Sequence, residues 1–263
     1  MQHNSLGQFT ALEPDLSMTD DLAYIIGVYF GDAFIEKQDL KKQYGLGYSV
    51  KLEVIDQDFR DAFAGALKNI GLHPTLYIRI RKSGRYVGHL SYCVKARSIR
   101  LYKYLAPLST VSLNRLLIEP AHKKAFLKGF FDSEGSSSRG RVSLVNTDYS
   151  LMLYVAKTLL ECGIDLKFEG KRNYRPNWLP IYTIRIPARC RAQFGKTVGS
   201  SIARKAVNLV AEKRKKYSQE VIAKALALVD TGYGYTSVAR KLGISRWTVG
   251  EWYRNYKKGG RFF

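Results

Sequence analysis

Phe126-Leu127-Lys128-Gly129-Phe130-Phe131-Asp132-Ser133-Glu134-Gly135 reads as an apolar helical run with a glycine inside it, closed by a carboxylate and a second glycine. A looser copy, Ala23-Tyr24-Ile25-Ile26-Gly27-Val28-Tyr29-Phe30-Gly31-Asp32-Ala33, lies 102 positions earlier, with Gly27 opposite Gly129 and Asp32 opposite Glu134. Each copy puts an acid where a helix should end. The negative end of the helix dipole disfavours a carboxylate there by roughly 0.3–1 kcal/mol, so a positive partner is expected. A divalent cation suits such a place, because the carboxylate and the free carbonyls of the last turn are all hard oxygen donors. A glycine inside a helix costs about 1 kcal/mol relative to alanine, and its recurrence at one offset from the acid marks a close approach of two helices.

The two runs head two copies of one unit. Asp148, Gly163 and Ala188 follow Asp56, Gly71 and Ala96 by 92 positions, and Leu151, Val155 and Leu159 match Phe59, Phe63 and Leu67. The periodicity predicts helix, hairpin, helix, hairpin, helix in each copy. In the first copy, Glu36 to Gln43 reads as an exposed turn, Tyr48 to Val54 as a strand, and Asp56 to Gly71 as a helix. Thr75 to Arg81 and Arg85 to Val94 read as a hairpin joined by Lys82-Ser83-Gly84, with a helix from Ala96 to Leu105. A ten-residue insertion between Asp32 and Asp56 distinguishes this copy from the second. The expected divisions are a first subdomain at 1–106, with a polar lead-in whose Thr19 or Asp20 caps the first helix, and a linker at 107–119. A second subdomain at 120–216 closes with a helix from Ile202 to Lys216, and a small all-α unit follows at 217–263.

With 263 residues, 46% of them hydrophobic, the chain can bury a sizeable core. Its 43 Lys and Arg against 22 Asp and Glu give a net charge of +21, which points to a polyanionic partner, most economically nucleic acid. The first twenty residues lack the charged start and apolar core of a signal peptide, and the longest apolar run is too short to span a bilayer. No membrane association and an intracellular location, cytoplasmic or nucleoid-associated rather than secreted, are the expectation. Cys93, Cys162 and Cys190 show no metal-ligand spacing and read as reduced thiols. His3, His73, His89 and His122 are scattered and read as no ligand set.

Basic residues alternate with apolar ones along the strands: Lys51, Arg79, Arg81 and Arg85 in the first copy, and Arg139, Arg141, Lys167, Lys171, Arg172, Arg175 and Arg185 in the second. Alternation places them on one sheet face, with few acids interspersed, where arginine can read guanine and lysine can neutralise phosphate. From residue 201 onward there are fourteen basic and four acidic residues. Ser218 to Asp230 suits a helix, and Tyr235 to Tyr256 fits a helix-turn-helix, with Gly243 at the turn and Val249 and Trp252 buried on the third helix. Ser245 can cap that helix, which places Arg246, Trp247, Thr248 and, further along, Arg254 toward bases or phosphates.

Leu127-Lys128-Gly129-Phe130-Phe131-Asp132-Ser133-Glu134-Gly135 resembles the LAGLIDADG motif of homing endonucleases, and Ile25 to Ala33 resembles a diverged first copy. The resemblance covers roughly residues 20 to 215. It implies an α+β fold of two pseudo-twofold αββαββα units with curved antiparallel DNA-binding sheets, the motif helices packed at the centre. It implies that Asp32 and Glu134 are the catalytic acids and, with the carbonyls of Gly31 and Ser133, hold Mg²⁺, for which Mn²⁺ substitutes. Asp132, which comes too early in the motif, is expected in the interface, while Phe30 replaces the corresponding acid of the first copy. The family adds Gln or Lys at places occupied here by Val54, Ile55, Asn146, Thr147 and Ser137. Asn146 can orient water, and otherwise Lys51, Arg139 or Arg141 would have to supply support. The implied activity is that of a monomeric, site-specific double-strand endonuclease acting on a long asymmetric DNA site, with no small-molecule substrate. Two alternatives stay open: a non-cleaving DNA-binding regulator on the same scaffold, and an intron RNA maturase.

Overall fold

The computed structural model describes residues 13–39, 46–80, 87–138, 140–172, 179–210 and 217–257. The chain divides into two compact units, Met1–Ala211 and Glu212–Phe263. The first unit begins with α1 (Asp20–Tyr29), β1 (Phe34–Asp39), β2 (Leu46–Val54), α2 (Gln57–Asn69), β3 (Thr75–Ile80), β4 (Leu90–Arg97) and α3 (Ile99–Leu105). After α4 (Thr110–Leu116) come α5 (Pro120–Glu134), β5 (Gly135–Ser138), β6 (Arg141–Asn146), α6 (Tyr149–Glu161), β7 (Lys167–Arg172) and β8 (Ile181–Ile186). A 3-10 turn at Ala188–Cys190, α7 (Arg191–Thr197) and α8 (Ala203–Val210) complete the unit.

The duplication is visible in the sheets, both antiparallel, with the orders β1-β2-β4-β3 and β5-β6-β8-β7. Strand alternation turns Val50, Leu52 and Val54 of β2, and Val142 and Leu144 of β6, into the core. Gly71 and Gly163 end α2 and α6 at φ 90° and 73°, a backbone that only glycine adopts without strain. The cores of both halves merge around α1 and α5, whose Leu22, Ile25, Ile26, Phe126, Phe130 and Phe131 are fully buried. These two helices cross at their glycines. A Cβ on Gly27 would lie 2.2 Å from the Phe126 carbonyl oxygen, and one on Gly129 would lie 2.3 Å from that of Tyr24.

Three boundaries differ from the sequence-based expectation, and the end of the closing helix falls outside the described residues. Glu36 to Asp39 are part of β1, paired with β2 from Phe34↔Lys51 to Asp39↔Leu46, and Glu36 and Gln38, two positions apart on one face, meet Lys51 and Lys95. β4 runs through Ala96 and Arg97, and Ser98 caps α3 by accepting a hydrogen bond from the Leu101 N–H at 3.1 Å. The 107–119 linker contains α4, in which Ser112 Oγ accepts the Ser109 N–H at 3.2 Å. The closing helix is described for Ala203–Val210, and the basic run Lys213–Lys216 lies outside the described residues.

The second unit contains α9 (Gln219–Asp230), α10 (Tyr235–Leu242) and α11 (Arg246–Lys257). Ala225, Val238, Ala239, Ile244 and Val249 form its small core. Gly243 has φ 62°, as the turn between α10 and α11 requires. Trp252 is half-buried against Tyr217, its ring centroid 5.1 Å away, rather than enclosed in the core. Among the described residues no helix is long and apolar enough to cross a membrane.

Candidate active site and nucleic-acid interface

The glycine crossing sets where the two acids stand. Because α1 and α5 touch backbone to backbone at Gly27 and Gly129, their C-terminal ends also meet. A Cβ on Gly31 would lie 2.3 Å from Ser133 Cβ and 3.4 Å from Glu134 Cγ. Glu134 is the last residue of α5, and Asp32 lies in the turn that follows α1. Asp132, two residues before Glu134, is buried and points elsewhere. Its carboxylate accepts hydrogen bonds from Tyr24 Oη at 3.0 Å, Ser200 Oγ at 2.5 Å and the Ser201 N–H at 3.0 Å, tying α1 and the α7–α8 loop to α5.

Two carboxylates at facing helix ends repel each other and are partly desolvated. Burial, reinforced by the negative charge of Asp32, pushes Glu134 up to about 7, against the opposing pull of Asn146 and Lys205. Burial also raises Asp32, while Lys205 lowers it. Asn146, at the end of β6, donates from Nδ2 to Glu134 Oε1 at 2.9 Å and accepts the Asp148 N–H at 2.9 Å, so its amide orientation is fixed. Val54 occupies the matching position of the first repeat and offers Asp32 no hydrogen bond. Asp32 instead lines a cleft of about 280 Å³ with Ser133, Asp56, Arg204 and Lys205.

The donor set suits a hard divalent cation. It comprises two carboxylates and the carbonyls of helix ends, with no soft ligand required. Among the described residues no three His, Cys, Asp or Glu side chains converge, so these carbonyls, water or a phosphate oxygen would complete any coordination shell. The charge state carries a testable consequence. The metal-free folded protein keeps protons on Glu134 that the unfolded chain releases between the ordinary glutamate value of 4.5 and about 7. The stability contributed by Glu134 therefore falls as pH rises through that window. In EDTA, the melting-temperature difference between wild type and Glu134→Gln should shift toward the variant from about pH 5 to about pH 8. A constant difference would contradict the coupling.

Among the side chains expected to support the acids, Asn146 touches one. Lys51 forms an ion pair with Glu36 instead, and Lys95 approaches the same carboxylate at 3.9 Å. Arg141 is exposed at the start of β6. Arg139 lies outside the described residues, as do Arg81, Arg85, Arg175 and the side chains of Lys171 and Arg172. The sheet faces turned away from the helices are less purely basic than the alternation suggested. Arg79 pairs with Glu53 at 3.5 Å, Arg185 with Glu169 at 3.1 Å, and Lys167 approaches Glu169 at 3.9 Å. Glu53 on β2 reaches Arg79 on β3 across the intervening β4, Glu169 and Arg185 sit on neighbouring strands, and Lys167 lies two positions from Glu169, proximities that depend on register. In the second unit, Ser245 Oγ accepts the Trp247 N–H at 3.2 Å. Trp247 is 74% exposed, and the Arg254 guanidinium lies 5.8 Å from its ring. Arg246 and Thr248 flank it at the start of α11.

The sequence reading missed Lys205, which is 4% exposed although it is a lysine. Its Nζ donates to the carbonyls of Phe131 at 3.0 Å and Asp132 at 2.7 Å, in the last turn of α5. Burial pushes this ammonium down to about 8. The signal was available, since Ile202, Lys205 and Leu209 share one helical face and its flanking members are core residues.

Two sheets of one strand order, headed by helices that meet at paired glycines and end in acids, constitute the two-repeat LAGLIDADG endonuclease fold, here joined to a helix-turn-helix. Residues 121–199 match the family model of the LAGLIDADG-like domain, and residues 211–262 match a model described as Transposase. The homing endonuclease I-DmoI shares the fold. Its complex with DNA and Ca gives a TM-score of 0.54 at 22% identity over 72% of this chain and 96% of that one. Its complex with DNA and Mn gives 0.52 at 21% identity over 68% and 96%. The chain is also similar to two proteins of Methanocaldococcus jannaschii. Uncharacterized protein MJ0398 is 37% identical over 147 residues, 56% of this chain and 50% of that one. Uncharacterized protein MJ0314 is 30% identical over 171 residues, 61% of each chain. The chain thus spans between half and three fifths of the length of these curated relatives.

Proposed function

We propose that this protein is a site-specific, monomeric double-strand DNA endonuclease in which Asp32 and Glu134, with the carbonyls of Gly31 and Ser133, hold Mg²⁺ or Mn²⁺. The observation that carries this reading is the convergence of the two acids where Gly31 lets α1 and α5 meet. The complexes of I-DmoI with DNA and Ca or Mn support it, as proteins of the same fold. A bound divalent ion would neutralise charge on the scissile phosphate and acidify an attacking water. The chain's own part is to present two carboxylates, one from each repeat, so that each serves mainly one strand. Asn146 fixes the rotamer of Glu134. Lys51, Arg79, Arg141, Lys167 and Arg185 offer cations to a DNA backbone, four of them beside half-buried carboxylates of Glu36, Glu53 and Glu169 whose charge the phosphates would have to outcompete.

Incubation with a randomised duplex library and Mg²⁺ tests this reading. Ends at one long, asymmetric sequence support it. Retention of DNA without cutting would replace it with a DNA-binding regulator, and preference for a structured RNA would replace it with a maturase. The helix-turn-helix has a separate expected role, through Arg246, Trp247, Thr248 and Arg254. Deleting residues 217–263 should weaken binding and flatten its salt dependence while leaving the cut position unchanged, as read by binding isotherms at several salt concentrations and end mapping. A relocated cut would contradict this division of labour.

A further inference from the structure

We propose that Lys205, carried by α8, is a positioning residue of the Asp32–Glu134 centre, a built-in cation that secures the last turn of α5 and offsets the two carboxylates before metal and DNA arrive. This rests on the reading of that centre as a metal site. Three observations carry it. First, the ammonium is held by the Phe131 and Asp132 carbonyls and lines the cleft of Asp32, so it lies at the helix end where the dipole and both acids call for positive charge. Its charge acts on Asp32 and on Glu134 alike.

Second, α8 is clamped to both repeats. Ser137 Oγ donates to the Lys205 carbonyl at 2.8 Å, and Asn208 Nδ2 donates to the Ser137 carbonyl at 3.0 Å, which fixes the helix to β5. Arg204 makes a bidentate pair with Asp56 at 2.6 Å for both contacts, and Asp58 Oδ2 accepts the Ala203 N–H at 2.5 Å, which fixes α8 to the start of α2. Third, the duplicated caps have diverged to permit this. Asp148 caps α6 by accepting the Leu151 N–H at 3.0 Å, whereas Asp56 caps nothing with its side chain and holds Arg204. A buried lysine is costly unless its charge is answered, and here it answers charges that Val54 and Ser137, at the strand positions, cannot.

Mn²⁺ binding to the full chain without DNA, followed by electron paramagnetic resonance of the free ion near neutral pH, tests the inference. Removing a neighbouring positive charge with Lys205→Met should tighten Mn²⁺ binding roughly tenfold. Lys205→Gln keeps an amide donor, so it should tighten binding similarly with a smaller fall in melting temperature. Ser137→Ala removes the hydrogen bond to the Lys205 carbonyl with no change of charge, loosens α8 and should tighten binding by roughly two- to threefold. If neither Lys205 variant folds, the Ser137 variant decides the matter. Unchanged or weaker Mn²⁺ binding in the folded variants overturns the inference whatever happens to cleavage. Tighter binding in a protein that never cuts DNA leaves the inference standing and removes the nuclease reading.

Discussion

Asp32→Asn and Glu134→Gln should each lower the rate of double-strand cleavage on the order of 10³-fold, the scale of removing a charge-stabilising group from an active site. Both changes preserve side-chain shape and remove a charge that repels DNA, so binding should hold or tighten. The acids stand together at the ends of α1 and α5, where Glu134 feels the charge of Asp32. The half-sites are unlike, because Asn146 hydrogen-bonds Glu134 while the corresponding residue beside Asp32 is Val54. Strand-resolved kinetics on an end-labelled duplex should therefore show unequal residual nicking in the two variants. A variant that still cuts both strands within roughly tenfold of wild type would remove its carboxylate from the chemistry.

Gly27→Ala and Gly129→Ala should be nearly as damaging, through the fold. The added methyl would meet backbone, at 2.2 Å from the Phe126 carbonyl for Gly27 and 2.3 Å from the Tyr24 carbonyl for Gly129. The helices can relieve this only by separating. Overpacking of a rigid contact costs about 3 kcal/mol, and helix propensity returns about 1 kcal/mol. The net loss of about 2 kcal/mol predicts a melting temperature roughly 4–8 °C lower. Separation also moves Asp32 away from Glu134, and a misplacement of about 1 Å can cost roughly 10²-fold in rate. Gly65→Ala in α2 is the internal control. Nothing lies within 4 Å of its added methyl, so it should stabilise the protein by about 1 kcal/mol. Equal behaviour of all three variants in a thermal melt would show that the crossing is not a tight one.

The centre of the fold could be read in the sequence because its constraint is local. A helix crossing at backbone distance demands glycine, and the repeated offset from Gly27 to Asp32 and from Gly129 to Glu134 records that demand. The doubled unit was legible for the same reason, since Asp56 and Asp148 or Gly71 and Gly163 mark equivalent helix ends. What escaped depends on register and on contacts distant in the chain. Glu36 reads as a turn residue until β1 pairs with β2 and brings it to Lys51. Lys205 reads as part of a basic closing helix, although its spacing from Ile202 and Leu209 places it inward. Only the docking of α8 on β5 and α2 shows that it ends on the carbonyls of α5, more than seventy residues away.

Anomalous diffraction from crystals grown with Mn²⁺ and duplex DNA tests most directly whether the paired helix ends are a metal centre. Density coordinated by the Asp32 and Glu134 carboxylates, with the carbonyls of Gly31 and Ser133 nearby, is the expected result. Mn²⁺ bound elsewhere, with both carboxylates free of it in the presence of DNA, would contradict it.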